Sequence, residues 1–171
     1  MSRTKHIIYK YIIPVVSVFF IVGYFVIVKN AITPLNTPTD TQVWDVFSSH
    51  GYTPIDLTDM YVEQNPNAGL VKSVTIKTDN FQLEFFTFDS EQAAKSSSSA
   101  TANHIKQVER QYVNNCVETD VYRVNIYHLT LTAGGKYYFL TRINETVLYA
   151  YGTEETSSEI LSIADELGYL P

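Results

Sequence analysis

The stretch LVKSVTIKTDNFQLEFFTFDSEQ, residues 70–92, decides the fold. Val74 and Ile76 alternate with polar neighbours, and Asp79-Asn80 is a two-residue turn pair in which both residues tolerate positive φ. A second apolar run, Phe81 to Phe88, follows the turn. The pattern predicts a hairpin with strands over Leu70–Thr78 and Phe81–Phe88. Phe81, Leu83 and Phe85 fall on one face of the second strand, Phe86 and Phe88 on the other, so this strand is expected to be covered on both sides. Asp89 then caps the longest helix, with Gln92 as the reciprocal partner of a capping box. Ala94, Ser97, Thr101, Ile105, Val108 and Tyr112 keep helical spacing to an end near Asn114-Asn115. The run Ser96–Ser99 is poor helix material, but its small side chains allow close approach to a sheet.

Three strands are expected beyond this helix: Val121–Thr132, Lys136–Ile143 and Thr146–Gly152. They turn at Ala133-Gly134-Gly135 and Asn144-Glu145, with the spacing of an antiparallel meander. A final helix starts at Thr156, with Glu159 completing a capping box and Ile160, Ile163, Ala164 and Leu167 as its buried stripe. On the N-terminal side, Asp40 or Thr39 caps a helix running to about His50, with Val43, Trp44 and Phe47 inward and Gly51 as its stop. Tyr52–Thr58 reads as extended, with a short extra strand near Ile55, and Asp59–Ala68 fits no single pattern. The fold class is therefore α+β, in the order α-β-β-α-β-β-β-α: a mainly antiparallel sheet of about five strands with helices packed against it. His50-Gly51-Tyr52 and Leu167-Gly168-Tyr169 echo each other, as expected of one helix-stop signal used twice.

Ahead of this domain lies Tyr11–Val28, YIIPVVSVFFIVGYFVIV, 18 residues without a charge between Lys10 and Lys29. As a helix it would be ~27 Å long, close to the hydrocarbon thickness of a bilayer. It is expected to be a single transmembrane helix. Residues 1–10 form a basic cytoplasmic N-terminus, 29–39 a linker stiffened by Pro34 and Pro38, and 40–171 an extracytoplasmic domain. Arg3, Lys5 and Lys10 before the span, against Lys29 alone just after it, set that orientation. A cleaved signal peptide fits less well, because the apolar run is long and Lys29 stands where a small residue should precede Ala31.

All eighteen acidic residues follow Thr39, against eight basic ones, giving this part of the chain a net charge of −10. Such a surface repels phosphate backbones, so nucleic acid is not an expected partner. The single cysteine, Cys116, excludes an internal disulfide, which fits a bacterial surface better than a eukaryotic secretory product.

The strings Phe85-Phe86-Thr87-Phe88-Asp89-Ser90-Glu91-Gln92-Ala93-Ala94 and Tyr137-Tyr138-Phe139-Leu140-Thr141-Arg142-Ile143-Asn144-Glu145-Thr146-Val147-Leu148-Tyr149-Ala150 resemble small membrane-anchored extracytoplasmic domains of low-GC Gram-positive bacteria. The resemblance covers most of Trp44 to Tyr169. It implies the fold and the surface location, and no catalytic residue.

Motifs for zinc, nucleotides, calcium or a serine nucleophile are absent, so no cofactor is expected. Cys116 lies close in sequence to Glu118 and Asp120, which disfavour a reactive thiolate with His104 or His128 as base. His50, His104 and His128 lack zinc-ligand spacing, and Asp56, Asp59 and Glu63 lack the pattern of a calcium loop. Tyr122, Tyr127, Tyr137, Tyr138, Tyr149 and Tyr151 crowd the last strands. Ordinary sheet packing accounts for most of them, and the remainder form a recognition face expected at Tyr138, Tyr149 and Tyr151. The expected function is a membrane-tethered binding module for a protein close to the bilayer. The alternatives are an envelope enzyme using Glu84 or Asp120 with a histidine, and an accessory subunit of a membrane complex.

Overall fold

The computed structural model describes residues 37–121 and 125–170. The transmembrane helix expected at Tyr11–Val28 lies outside the described residues, among which no helix is long and apolar enough to cross a membrane. The α+β reading holds. Four α-helices, α1 (Asp40–Ser49), α2 (Thr58–Gln64), α3 (Glu91–Val108) and α4 (Ser157–Glu166), accompany seven strands. The strands are β1 (Ile55–Asp56), β2 (Leu70–Lys77), β3 (Phe81–Phe88), β4 (Val113–Val121), β5 (Ile126–Ala133), β6 (Lys136–Ile143) and β7 (Thr146–Thr153). They form one sheet in the order β1-β2-β3-β7-β6-β5-β4, with every neighbouring pair antiparallel.

Alternation along the strands builds two cores, one on each face of the sheet. On the first face Val74, Ile76, Leu83, Phe85, Phe139 and Leu148 pack against α1 through Val43 and Phe47, and against α4 through Ile160 and Ile163. On the second face Phe88, Leu129, Leu131, Leu140 and Val147 receive Ala94, Ala102 and Ile105 of α3. Each fully buried Leu, Ile or Phe contributes about 1.5–3 kcal/mol through removal of apolar surface from water. The split of Phe81, Leu83 and Phe85 from Phe86 and Phe88 between the two faces is as expected. Gly51 and Gly168 both adopt left-handed backbone, with φ of 83° and 77°. Tyr52 N–H donates to the Phe47 carbonyl, and Tyr169 N–H to that of Ala164. The two echoed stops are therefore the same terminating geometry.

Several expectations need correction. The sheet has seven strands rather than about five. One of the two added strands is the short β1 foreseen near Ile55. The other is β4, which occupies residues assigned to the end of α3 and to the start of a strand at Val121. The long helix ends at Val108, and Val108 and Tyr112 are exposed, not buried. Ser98 and Ala102 take the inward positions assigned to Ser97 and Thr101. The α3 cap is Ser90, whose side chain accepts from the Ala93 N–H, rather than Asp89. Trp44 is exposed on α1. The α4 capping box is absent, because Thr156 Oγ donates to the Thr153 carbonyl and Glu159 is drawn to His50 and Tyr52. Asp79-Asn80 turns without positive φ, since the Thr78 hydroxyl accepts from the N–H groups of Asn80 and Phe81.

Candidate functional site

Helices α2 and α3 cover different parts of the second face and leave a cleft of about 260 Å³ between them. Its floor comes from β3 and β7. Register places Glu84 beside Tyr149, Phe86 beside Val147, and Gln82 beside Tyr151, all on this face. Its walls include Tyr61 of α2 and Ser97 and Thr101 of α3. The serine run therefore does two things. Ser98 is buried, with its hydroxyl turned back to the Lys95 carbonyl, while the half-buried Ser97 widens the cleft because it is small.

Glu84 is the unusual group, a carboxylate only 7% exposed. Tyr61 Oη donates to Glu84 Oε1 at 2.8 Å, and Gln82 Nε2 donates to the same oxygen. Tyr151 Oη in turn donates to Gln82 Oε1 at 3.3 Å. A relay of neutral donors thus converges on Oε1, and Oε2 takes no hydrogen bond from the described residues. Thr75, the partner of Glu84 across β2, is buried with its hydroxyl unpaired. Burial, and then the neighbouring Glu84 carboxylate, push the Tyr61 hydroxyl well above its ordinary pKa. Burial, followed by Tyr138 and Glu84, does the same for Tyr149. Both phenols therefore keep their protons at neutral pH. Tyr61 meets Phe86 edge-on with centroids 5.5 Å apart, and Tyr149 lies 6.1 Å from Tyr151.

The three tyrosines singled out in the sequence stand together on this face, with Tyr138 directly across from Tyr151 and Tyr149 next along β7. Their roles differ. Tyr149 lines the cleft, and Tyr151 is 41% exposed at its side. The Tyr138 hydroxyl donates at 2.6 Å to Glu109, a buried carboxylate that also holds Lys136 Nζ at 2.8 Å. The Lys136 hydrogen bond, then that of Tyr138, holds the Glu109 carboxyl below its usual value. Tyr138 is thereby tied to a structural ion pair.

The remaining candidates are scattered. His50 is clasped between Glu159 and Glu166 on the first face, His104 is exposed on α3, and His128 packs against Phe139 on the first face. Among the described residues no histidine hydrogen-bonds Glu84. Asp120 lies 3.9 Å from Arg142. Asp56 is held at about 2 by Lys72 and by Thr58, and Asp59 and Glu63 are exposed on α2. No group of three or more metal-ligating side chains forms among the described residues. Cys116 is exposed on β4 rather than following a helix end. Tyr61 was missed from sequence. The sequence offers Glu84 only as an acidic residue for an envelope enzyme; the signal that could have placed it on this floor is its position between Gln82 and Phe86 on a strand covered on both faces.

No known family model and no curated protein matches the chain. Among solved structures, the chain is similar to a GTP binding regulator from Thermotoga maritima, at 10% identity and a TM-score of 0.42 over 75% of this chain and 86% of that one. It is also similar to the extracellular domain of PknH from Mycobacterium tuberculosis, at 14% identity and a TM-score of 0.37 over 75% of this chain and 91% of that one.

Proposed function

We propose that residues 40–171 form an extracytoplasmic binding module, tethered to the membrane through Tyr11–Val28, that holds a protein close to the bilayer in the cleft between α2 and α3. One observation carries this reading: a concave, aromatic-walled cleft on the sheet whose floor contains a nearly buried carboxylate with one oxygen unused. Apolar clefts with a few convergent polar groups are the usual form of a binding site. The linker of about ten residues reaches at most ~35 Å, which keeps the partner near the membrane. Tyr149 and Tyr151 are the recognition tyrosines, and Tyr138 supports them through Glu109.

Crosslinking capture from the native membrane tests the reading, with the full chain compared with a Tyr149→Ser/Tyr151→Ser variant. The expected result is a captured protein that the variant loses. A second arm places residues from Thr39 onward behind an unrelated anchor, and this form should capture the same protein. Capture that survives in the variant removes the cleft from the reading. Capture only by the native anchor transfers recognition to the span.

A further inference from the structure

We propose that the cleft between α2 and α3 binds an ammonium group on a short aliphatic stem, with the Glu84 carboxylate as its counter-ion. This rests on the cleft being the binding site and adds the chemistry of what enters it.

Two glutamates are buried on the second face, and they differ in one respect. Glu109 has its own cation, Lys136. Glu84 makes no ion pair with a described residue, and its partners are a phenol and a carboxamide that both reach Oε1. A carboxylate withdrawn from water is costly unless a charge or several donors compensate it. Oε2 is the acceptor left over, on a residue that lines the cleft. Tyr149 Oη, on the same cleft, also makes no hydrogen bond with the described residues. An ammonium nitrogen carries three donors and no acceptor, so it can satisfy both oxygens at once. The walls suit the rest of such a ligand. Tyr61, Phe86, Phe88 and Tyr149 supply aromatic faces that attract a desolvated cation and pack against methylene groups. The volume of about 260 Å³ admits one side chain or headgroup. An anionic ligand would place like charges together in a low-dielectric site, and the net charge of −10 beyond Thr39 repels it further. The ammonium has two possible sources, a lysine side chain of a partner protein or a free alkylamine.

The test is ligand-observed NMR titration of the full chain in non-ionic maltoside micelles. The probes are Nα-acetyl-lysine amide, n-butylamine, and Nα-acetyl-norleucine amide, which keeps the stem without the charge. The lysine probe or butylamine should bind at least about tenfold more tightly than the norleucine probe, and Glu84→Gln should erase about that advantage. Glutamine retains an acceptor for Tyr61 and Gln82, so the melting temperature of this variant should hold. Phe86→Leu, which keeps the apolar volume but removes the ring face, should weaken the charged probe several-fold, by about the exposed-site strength of a cation–π contact. Equal binding of lysine probe and butylamine supports the proposal with a free amine sufficient. Binding of the lysine probe alone supports it with a protein as the source. Equal binding of the norleucine probe, an unchanged affinity in Glu84→Gln, or no binding of either amine overturns it. If the amines fail while Tyr149→Ser/Tyr151→Ser still loses its captured protein, the ligand chemistry is wrong and the cleft remains the binding site. If the amines bind and capture is indifferent to the tyrosines, the protein-partner reading is the one that fails.

Discussion

His50 shows how much one residue can carry. Its ring bridges Glu159 at 3.1 Å and Glu166 at 3.0 Å, tying the end of α1 to α4, and Tyr52 Oη joins the same Glu159 oxygen. Burial lowers the imidazole pKa, but the hydrogen bonds and charges of Glu166 and Glu159 outweigh it, so the folded value lies above 6.5. A raised folded pKa means that the clasp's contribution is complete below the unfolded value and is lost as pH rises through the folded one. Melting curves of the wild type and His50→Gln from about pH 5 to about pH 9 should therefore show the widest gap at the acid end, closing towards alkaline pH. A gap that widens with pH would contradict the assignment. Gly152 is a second single-residue constraint, of steric origin. A Cβ there would lie 2.7 Å from Phe81 Cβ and 3.0 Å from the Asn80 carbonyl oxygen, where β7 crosses the β2–β3 turn. Neither neighbour can yield without moving the hairpin, so Gly152→Ala should cost about 1–3 kcal/mol in urea unfolding. At this scale the sequence shows the residue and not the reason for it. His50 looked like a helix terminus because both of its partners lie more than a hundred positions away.

Elements were readable where burial leaves a period in the sequence. The β2–β3 hairpin is readable because Val74 and Ile76 alternate with polar neighbours on β2 while β3, covered on both faces, carries apolar residues on both, and the stripe Ile160, Ile163, Ala164, Leu167 follows from one buried side of α4. β4 was unreadable for the converse reason. All nine of its residues are exposed, and Asn114, Asn115, Glu118 and Asp120 are poor strand formers. Its strand state is imposed by β5, whose open edge it pairs from Val113↔Ala133 to Val121↔Ile126. α2 was ambiguous because Leu57 gives it no side-chain cap and none of its residues is fully buried. Tyr61, the cleft wall it delivers, was lost with it. At the start of α3 the sequence misplaced the cap by one residue, and this has a measurable consequence. Ser90→Ala removes the acceptor for the Ala93 N–H and should cost about 1 kcal/mol. Gln92→Ala, which removes no cap bond, should stay within about 0.5 kcal/mol. Equal losses from the two would restore the reciprocal capping box with Gln92.

At the scale of the molecule, the meander of the last strands was local information, but its docking was not. β7 comes last among the strands and inserts between β3 and β6, pairing Phe81–Thr87 with Thr146–Gly152 across a sequence gap that contains α3 and three strands. That insertion assembles the candidate site, because it sets Tyr149 beside Glu84. Thr37–Thr39, which leads into α1, lies beside Glu166 and Leu167 on the α4 side, whereas the cleft opens on the opposite face of the sheet. The proposed topology requires this whole arrangement to lie outside the cytoplasm, and the chain carries its own reporter. Cys116 is its one cysteine, exposed on the edge strand β4 and remote from the cleft floor of β3 and β7. A membrane-impermeant maleimide added to intact cells should label the full chain as completely as it does after permeabilisation, and Cys116→Ser should take up no label. The serine variant should keep its stability within about 0.5 kcal/mol, because the replaced thiol is exposed. Labelling that appears only after permeabilisation would place residues 40–171 in the cytoplasm. It would overturn the extracytoplasmic module while leaving the geometry of the cleft unchanged.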